Sequence, residues 1–259
     1  MRLRILGCHG GESPSHRATS FLVDDNILLD AGALTRGLTV PQQALIDYVL
    51  LSHVHLDHIR DLALLTDNVI GVRKSPVEVF ATDFTADALE KHFFNNLIWP
   101  DFTKIPNPAD PNKGPTLKIT RYNSGDTLEV GGYTVTTVPV NHPVDCQAIF
   151  VTGKTGTLVY SGDTGPTEAL WTAINALKDL RAFIYEVSFP NNMEKLAHIS
   201  GHLTPQMMAE ELKKFKPQSK APVLLYHMKP GFHEVLKDQV AALNDARLTI
   251  LKPMDEFEL

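Results

Sequence analysis

Cysteine is scarce in this sequence: Cys8 and Cys146 are the only two in 259 residues. Two thiols so far apart cannot build a disulfide framework, and their scarcity fits a reducing compartment and a cytoplasmic protein. Long apolar runs are also missing. The opening Met1-Arg2-Leu3-Arg4-Ile5-Leu6 is too short for a signal-peptide core, and no stretch approaches the roughly 20 apolar residues of a membrane span. Basic charge is not in excess either: 24 Lys and Arg against 30 Asp and Glu give a net charge of -6. That balance gives no general attraction to phosphate backbones, and no Lys/Arg cluster offers an exosite for a nucleic acid polymer. What is present is an ordinary 43% hydrophobic share, enough for a full core, with no visible linker or short repeat. A single domain over residues 1–259 is expected.

Short β-rich runs recur at residues 3–6, 20–23, 27–30 and 48–51, with Asp24-Asp25-Asn26 as a hairpin turn between the second and third. After His58, the residues Ile59, Leu62, Ala63 and Leu65 recur with helical spacing and predict a helix packed on that sheet. A strand is predicted over 77–82, with Asp83 as the N-cap of a helix carrying Leu89 and Phe93. Regularity then fails in a Pro- and aromatic-rich insertion at about 93–116. Pro100, Pro106, Pro108, Pro111 and Pro115 stand there beside Phe93, Phe94, Trp99 and Phe102. It reads as an aromatic-anchored loop, either a packed connection or a lid or subunit contact, the last hinting at a homodimer. Strands over 133–140, 148–151, 157–160, 182–185 and 223–226 follow, with helices over 167–180, 205–215 and 232–243 among the later ones. The expected class is α/β (α+β): a four-layer αββα sandwich of two packed mixed sheets flanked by helices.

Residues 53–58 read His53-Val54-His55-Leu56-Asp57-His58, four metal-ligating side chains in six positions just after Tyr48-Val49-Leu50-Leu51. On an extended segment His53 and His55 share a face, while Asp57 and His58 fall where the next helix begins. One segment can therefore serve two cations. Neutral imidazoles suit zinc, with manganese or iron as alternatives, and the carboxylate adds a harder oxygen. The rival is a lone structural zinc or a hydrogen-bonded His-rich turn, although structural zinc sites lean on cysteine. Three more candidates each follow an apolar strand: His142, Asp163 and His227. Strand-end residues gather at one sheet edge. Cys146, four residues after His142, reads as a small buried hydrophobe in preference to a ligand.

Two cations about 3.5–4 Å apart can hold a bridging hydroxide near neutral pH and neutralise charge on a phosphoryl or carbonyl centre. Choosing between those centres falls to Ser200-Gly201-His202-Leu203-Thr204-Pro205. Thr204 can cap a helix whose first position is Pro205, which leaves His202 beside free backbone amides, a natural phosphate site.

The ordered set resembles the metallo-β-lactamase superfamily along essentially the whole chain. That resemblance implies one divalent ion on His53, His55 and His142, a second on Asp57, His58 and His227, and Asp163 bridging both. His202 lies where the phosphodiesterase branch, which includes the tRNA 3′-processing nuclease, carries its catalytic histidine. Several stretches look closer still to class II cyclic nucleotide phosphodiesterases: His55-Leu56-Asp57-His58, Leu29-Asp30-Ala31-Gly32, Ile98-Trp99-Pro100-Asp101-Phe102, Gly162-Asp163-Thr164-Gly165-Pro166-Thr167, Ser188-Phe189-Pro190-Asn191, Gly201-His202-Leu203-Thr204-Pro205 and His227-Met228-Lys229-Pro230. Arg60-Asp61 departs from that class, which has a small residue there.

The resemblance implies hydrolysis of 3′,5′-cyclic nucleotides, cAMP and/or cGMP, to 5′-monophosphates by attack of a metal-bridging hydroxide. His202 would stabilise the phosphoryl group or protonate the leaving alkoxide, and Asp57, besides ligating, would orient the nucleophile. Thr204, Ser188 and Asn191 are candidates for substrate contact; Phe189, Trp99 or Phe102 could stack on the base. The alternatives are a tRNA 3′-processing nuclease, a thioester, lactone or β-lactam hydrolase, and, from another class, a nucleotide-sensing binding module. His9, His16, His92, His198 and His233 default to the surface or to positions behind the ligands.

Overall fold

The computed structural model describes residues 1–216 and 220–259. Strands β1 (Arg2–Gly7), β2 (Ser20–Val23), β3 (Ile27–Leu29), β4 (Tyr48–Leu50), β5 (Val77–Thr82) and β6 (Leu117–Tyr122) form one sheet in sequence order. The second sheet holds β7 (Thr127–Val130), β8 (Tyr133–Pro139), β9 (Gln147–Gly153), β10 (Gly156–Tyr160), β11 (Leu180–Glu186), β12 (Val223–Tyr226) and β13 (Leu248–Ile250), again in order. A last strand, β14 (Glu256–Glu258), returns to pair with β1. Each sheet starts as an antiparallel meander and turns parallel, from β3 to β6 in the first and from β10 to β13 in the second. The switch puts the carboxyl ends of the parallel strands at one edge, where open α/β folds build their sites.

The helices are α1 (Val40–Gln43), α2 (Leu56–Val69), α3 (Asp83–Ala88), α4 (Glu168–Asn175), α5 (Glu194–Ser200), α6 (Pro205–Leu212) and α7 (His233–Ala241), of which α2, α4, α6 and α7 follow from apolar stripes. Three cores define the layering. Leu62, Leu65 and Val69 of α2 pack with Val49, Val77 and Val79 on the outer face of the first sheet. Phe21, Ile149, Val151, Tyr160 and Tyr226 fill the space between the sheets. Trp171 of α4, Met208 of α6 and Leu236 of α7 cover Phe183 and Leu225 on the outer face of the second sheet. The four-layer αββα sandwich is therefore present.

Several boundaries differ from the expectation. Thr82, not Asp83, caps α3: its extended backbone lets Oγ1 accept from the Thr85 amide at 3.4 Å. The helix expected over 167–180 stops at Asn175, because Leu180 owes its burial to β11 and not to a helical stripe. The insertion is anchored as its aromatics suggested, with Phe94 and Phe102 buried against the outer core of the first sheet, whereas Leu97 is 85% exposed. Strands β6, β7, β13 and β14 and helices α1 and α5 had no counterpart in the sequence reading. Arg60 and Asp61 pair at 2.9 Å, and the buried Asp61 carboxylate also accepts from the Thr35 amide at 2.8 Å, fixing the turn after Gly32.

That turn holds the segment of residues 53–58 in place. Ala31 donates to His58 O at 2.6 Å, Gly32 donates to Thr19 O at 2.8 Å, and Thr19 donates to Asp57 O at 3.2 Å. A Cβ on Gly32 would stand 2.0 Å from Asp57 O and 2.7 Å from Thr19 O, both backbone atoms. Gly32→Ala is therefore expected to lower stability by about 1–3 kcal/mol through overpacking. A urea midpoint that falls at unchanged slope would register the loss.

Candidate metal centre

The sequence-predicted residues converge from five elements. His53 and His55 follow β4, Asp57 and His58 open α2, His142 follows β8, Asp163 follows β10 and His227 follows β12. Donor atoms of His53, His55, His142 and Asp163 lie within 4.8 Å of one another, as do those of Asp57, His58 and His227, and those of Asp163, His202 and His227. In the first group His142 Nε2 is 3.1 Å from His55 Nδ1, and His53 Nε2 is 3.7 Å from Asp163 Oδ2. In the second, His227 Nε2 is 3.3 Å from Asp57 Oδ2 and 3.4 Å from His58 Nε2. Asp163 Oδ2 reaches both, standing 3.0 Å from His227 Nε2 and 3.3 Å from His58 Nε2.

The electrostatics suit cation binding. Burial, with the neighbouring imidazoles, holds His53 well below the usual imidazole range, and burial pushes His142 down to about 4. Against burial, Asp163, Asp30 and Asp57 hold His58 well above that range. Burial opposes ionisation of Asp163, yet His227 and His58 hold its carboxyl well below the carboxylate range. His53 Nε2 is buried without a hydrogen-bond partner, which costs about 1–3 kcal/mol unless something takes its lone pair. Five imidazoles and two carboxylates packed this closely are a donor set for two borderline divalent cations.

A layer of residues behind the donors fixes their orientation. The fully buried Asp30 carboxylate lies 2.7 Å from His58 Nδ1 and accepts from the Ser52 amide at 2.7 Å, Ser52 Oγ at 2.6 Å and Tyr160 OH at 2.6 Å. Tyr226 OH donates to Asp163 Oδ1 at 3.0 Å, and His142 Nδ1 donates to Gly201 O at 3.0 Å. Glu186, at the end of β11, takes His202 Nδ1 at 2.9 Å and accepts from Ser188 Oγ at 2.8 Å; the same Ser188 hydroxyl lies 2.8 Å from His227 Nδ1. Such partners set tautomer and ring direction. His227 itself sits at φ 72°, a left-handed conformation that costs on the order of 1–3 kcal/mol, held by the hydrogen bond that its amide donates to Cys8 O at 2.7 Å.

Sequence reasoning missed Asp30, Ser52, Tyr160, Glu186 and Tyr226 as parts of the site. For Asp30 and Glu186 the signal was available, since each closes an apolar strand just as Asp163 does. The other candidates are placed as follows. The rings of His202 and His227 stack at 5.1 Å, and Phe189 lies 5.7 Å from His202. Thr204 is buried and caps α6, Oγ1 accepting from the Met207 amide at 3.2 Å. The Ser188 hydroxyl is buried among Glu186, His202 and His227, and Asn191 Oδ1 accepts from the Gln206 amide at 2.9 Å. Cys146 is buried, its thiol pushed well up by burial.

Fold and donors together define a metallo-hydrolase scaffold, and the chain belongs to the family described as "Beta-lactamase superfamily domain", whose model matches residues 25–228. Within it, the chain is 27% identical over 225 residues to a probable 3′,5′-cyclic-nucleotide phosphodiesterase of Yersinia pestis, with 79% of this chain and 63% of that one covered. It is 26% identical over 249 residues to 3′,5′-cyclic-nucleotide phosphodiesterase 1 of Saccharomyces cerevisiae, with 82% and 61% covered. The chain thus aligns to a little under two thirds of those relatives' lengths. The crystal structure of unliganded yeast PDE1 superposes with a TM-score of 0.77 at 19% identity, over 96% of this chain and 97% of that one. The metallo-β-lactamase fold protein YhfI of Bacillus subtilis gives 0.78 at 20% identity over 99% of both. A ribonuclease Z of Mycobacterium bovis is also similar, at 29% identity over 163 residues, 59% of this chain and 55% of that one. Among the described residues no helix is long and apolar enough to cross a membrane.

Proposed function

We propose that the chain is a binuclear-metal phosphodiesterase that opens the 3′ phosphoester of 3′,5′-cyclic nucleotides, cAMP and/or cGMP, to give 5′-monophosphates. His53, His55 and His142 would hold one cation, Asp57, His58 and His227 the other, and Asp163 both. When bound, such ions acidify water and neutralise charge on a phosphoryl group. The observation that carries the reading is His202. It is 6% exposed, stacks on His227 and stands with Asp163 and His227 in one donor group. Its Nδ1 is engaged by Glu186 at 2.9 Å, so Nε2 is the nitrogen left to meet substrate.

Glu186 accepts the hydrogen bond from Nδ1–H and keeps the ring aimed. With both ring nitrogens protonated, Nε2–H donates to a phosphoryl oxygen as charge grows, or delivers its proton to the departing 3′ oxygen and leaves a neutral ring whose remaining proton stays on Nδ1. Asp57, whose side chain is 28% exposed while Asp163 is sealed at 2%, is the carboxylate with capacity left to orient the attacking group. Phe189 lies beside His202 but is buried in the core on the outer face of the second sheet, with Lys229 Nζ 5.4 Å from its ring centre, so it packs as a core residue and not as the base-stacking surface expected from the sequence.

The similarity to a ribonuclease Z marks the tRNA 3′-processing reading as the one to separate experimentally, although a net charge of -6 is a poor match for a polyanion. Purified chain is to be assayed on cAMP, cGMP, a linear phosphodiester, a precursor tRNA, a thioester and a β-lactam, before and after chelation. Hydrolysis of the cyclic nucleotides should vanish with chelator and return with zinc or manganese. Turnover of the thioester or lactam alone would overturn phosphoryl chemistry, and turnover of precursor tRNA alone would transfer the site to the nuclease branch.

A further inference from the structure

A second histidine cluster stands outside the site described above. His9 follows β1, His16 lies in the loop before β2, and His233 opens α7. Their ring centroids are 4.6, 5.3 and 5.1 Å apart. That spacing matches the 4.7, 4.9 and 5.0 Å separating His53, His55 and His142. One ring nitrogen from each of the three lies within 4.8 Å of the others. The rings are also held from behind. His9 Nδ1 is 3.2 Å from both the amide nitrogen and the carbonyl oxygen of Arg17, and His16 Nδ1 is 2.6 Å from Ser13 Oγ. These contacts leave the Nε2 atoms of His9 and His16 for the centre of the cluster. His233 Nδ1 is buried with no hydrogen-bond partner.

Three rings from two segments, the loop of residues 8–17 and the start of α7, gain little from crowding together unless something joins their lone pairs. Burial pushes His9 down to about 4, with His16 adding to the shift, and burial also lowers His233. Neutral imidazoles of this kind are ligands for borderline transition metals and poor partners for magnesium or calcium, which take oxygen. A cavity of about 570 Å³ opens on the trio and is also lined by Glu234, Lys237 and Leu251.

We propose that His9, His16 and His233 form a third metal site, a three-histidine site for a divalent transition ion such as zinc, with its remaining coordination position facing the cavity. An ion there would clamp the loop of residues 8–17 to α7. The loop supports the main site: Cys8 O accepts the His227 amide at 2.7 Å, and a Cβ on Gly10 would stand 2.7 Å from His227 Cε1. The clamp is a supporting element for His227 and takes no part in the reaction.

Zinc content of the full chain after gel filtration in zinc-buffered solution is expected to be three equivalents in the wild type and two in His16→Ala, His233→Ala and their double variant. Cobalt(II) titration gives a second readout: a tetrahedral visible band component present in the wild type and lost in the variants, with circular dichroism confirming their fold. His16→Gln and His233→Gln, which keep polar bulk, replace any alanine variant that unfolds. Two equivalents in the wild type at saturating zinc, or a third equivalent that survives in the double variant, overturns the proposal. Neither result depends on which ester the main site hydrolyses.

Discussion

Replacing His202 with alanine is expected to cut hydrolysis of a cyclic phosphodiester by about a hundredfold or more, the range of a positioned acid, while both central cations stay bound. The separation follows from geometry. The donor groups formed by His53, His55, His142 and Asp163 and by Asp57, His58 and His227 are complete without His202. His202 instead hangs on Glu186 at 2.9 Å and is supplied by the segment between α5 and α6. Glu186→Gln should lose about tenfold or more, the range of losses when an outer partner is removed, because the amide keeps the shape but no longer forces the proton onto Nδ1. Since Ser188 joins Glu186 to His227 through two contacts of 2.8 Å, this second variant should also bind metal less tightly. Metal analysis beside kcat distinguishes the two. His202→Ala with unchanged turnover would remove the residue from the chemistry.

The convergence of the candidate ligands was legible because their signal is local: a six-residue segment after an apolar strand, then three strand ends. Layering was legible because α2, α4 and α6 carry stripes that must be covered. What escaped the sequence lacks such patterning. β13 and β14 are three-residue edge strands with no fully buried position, and β6 mixes Lys118 and Arg121 into its run. Such strands are defined by their neighbours and not by their own periodicity. The overextended helix shows the converse failure: Leu177 and Leu180 match a helical stripe in sequence, but Leu180 pairs with Thr157 in the sheet. Asp30 and Glu186 each close an apolar strand, but that signal gives a position and no role, because the role of a buried carboxylate appears only once three or four donors from distant segments meet it. His9, His16 and His233 likewise meet only in three dimensions.

Asp30→Ala is expected to be the most damaging change behind the donor atoms, destabilising the fold by about 3–5 kcal/mol, the cost of breaking a buried charged pair. Four donations end on this carboxylate, from His58 Nδ1, the Ser52 amide, Ser52 Oγ and Tyr160 OH, and it is wholly buried. The position is sealed from solvent, so the donors are stranded, each at about 1–3 kcal/mol and not additively. The residue also stands at φ 55°, a left-handed conformation that asparagine tolerates and alanine does not. Asp30→Asn should therefore fall between, keeping one acceptor oxygen for Ser52 while setting an NH₂ against a ring or hydroxyl that expects an acceptor. In both variants His58 loses the partner that aims its Nε2, and zinc affinity should drop about 10–100-fold. Urea unfolding measures the first effect and chelator competition the second. The two should move together across the wild type, Asp30→Asn and Asp30→Ala, because the same carboxylate that closes the core between the sheets also orients the ligand. An alanine variant with wild-type stability and wild-type affinity would mean that Ser52 and Tyr160, and not Asp30, set the direction of that ring.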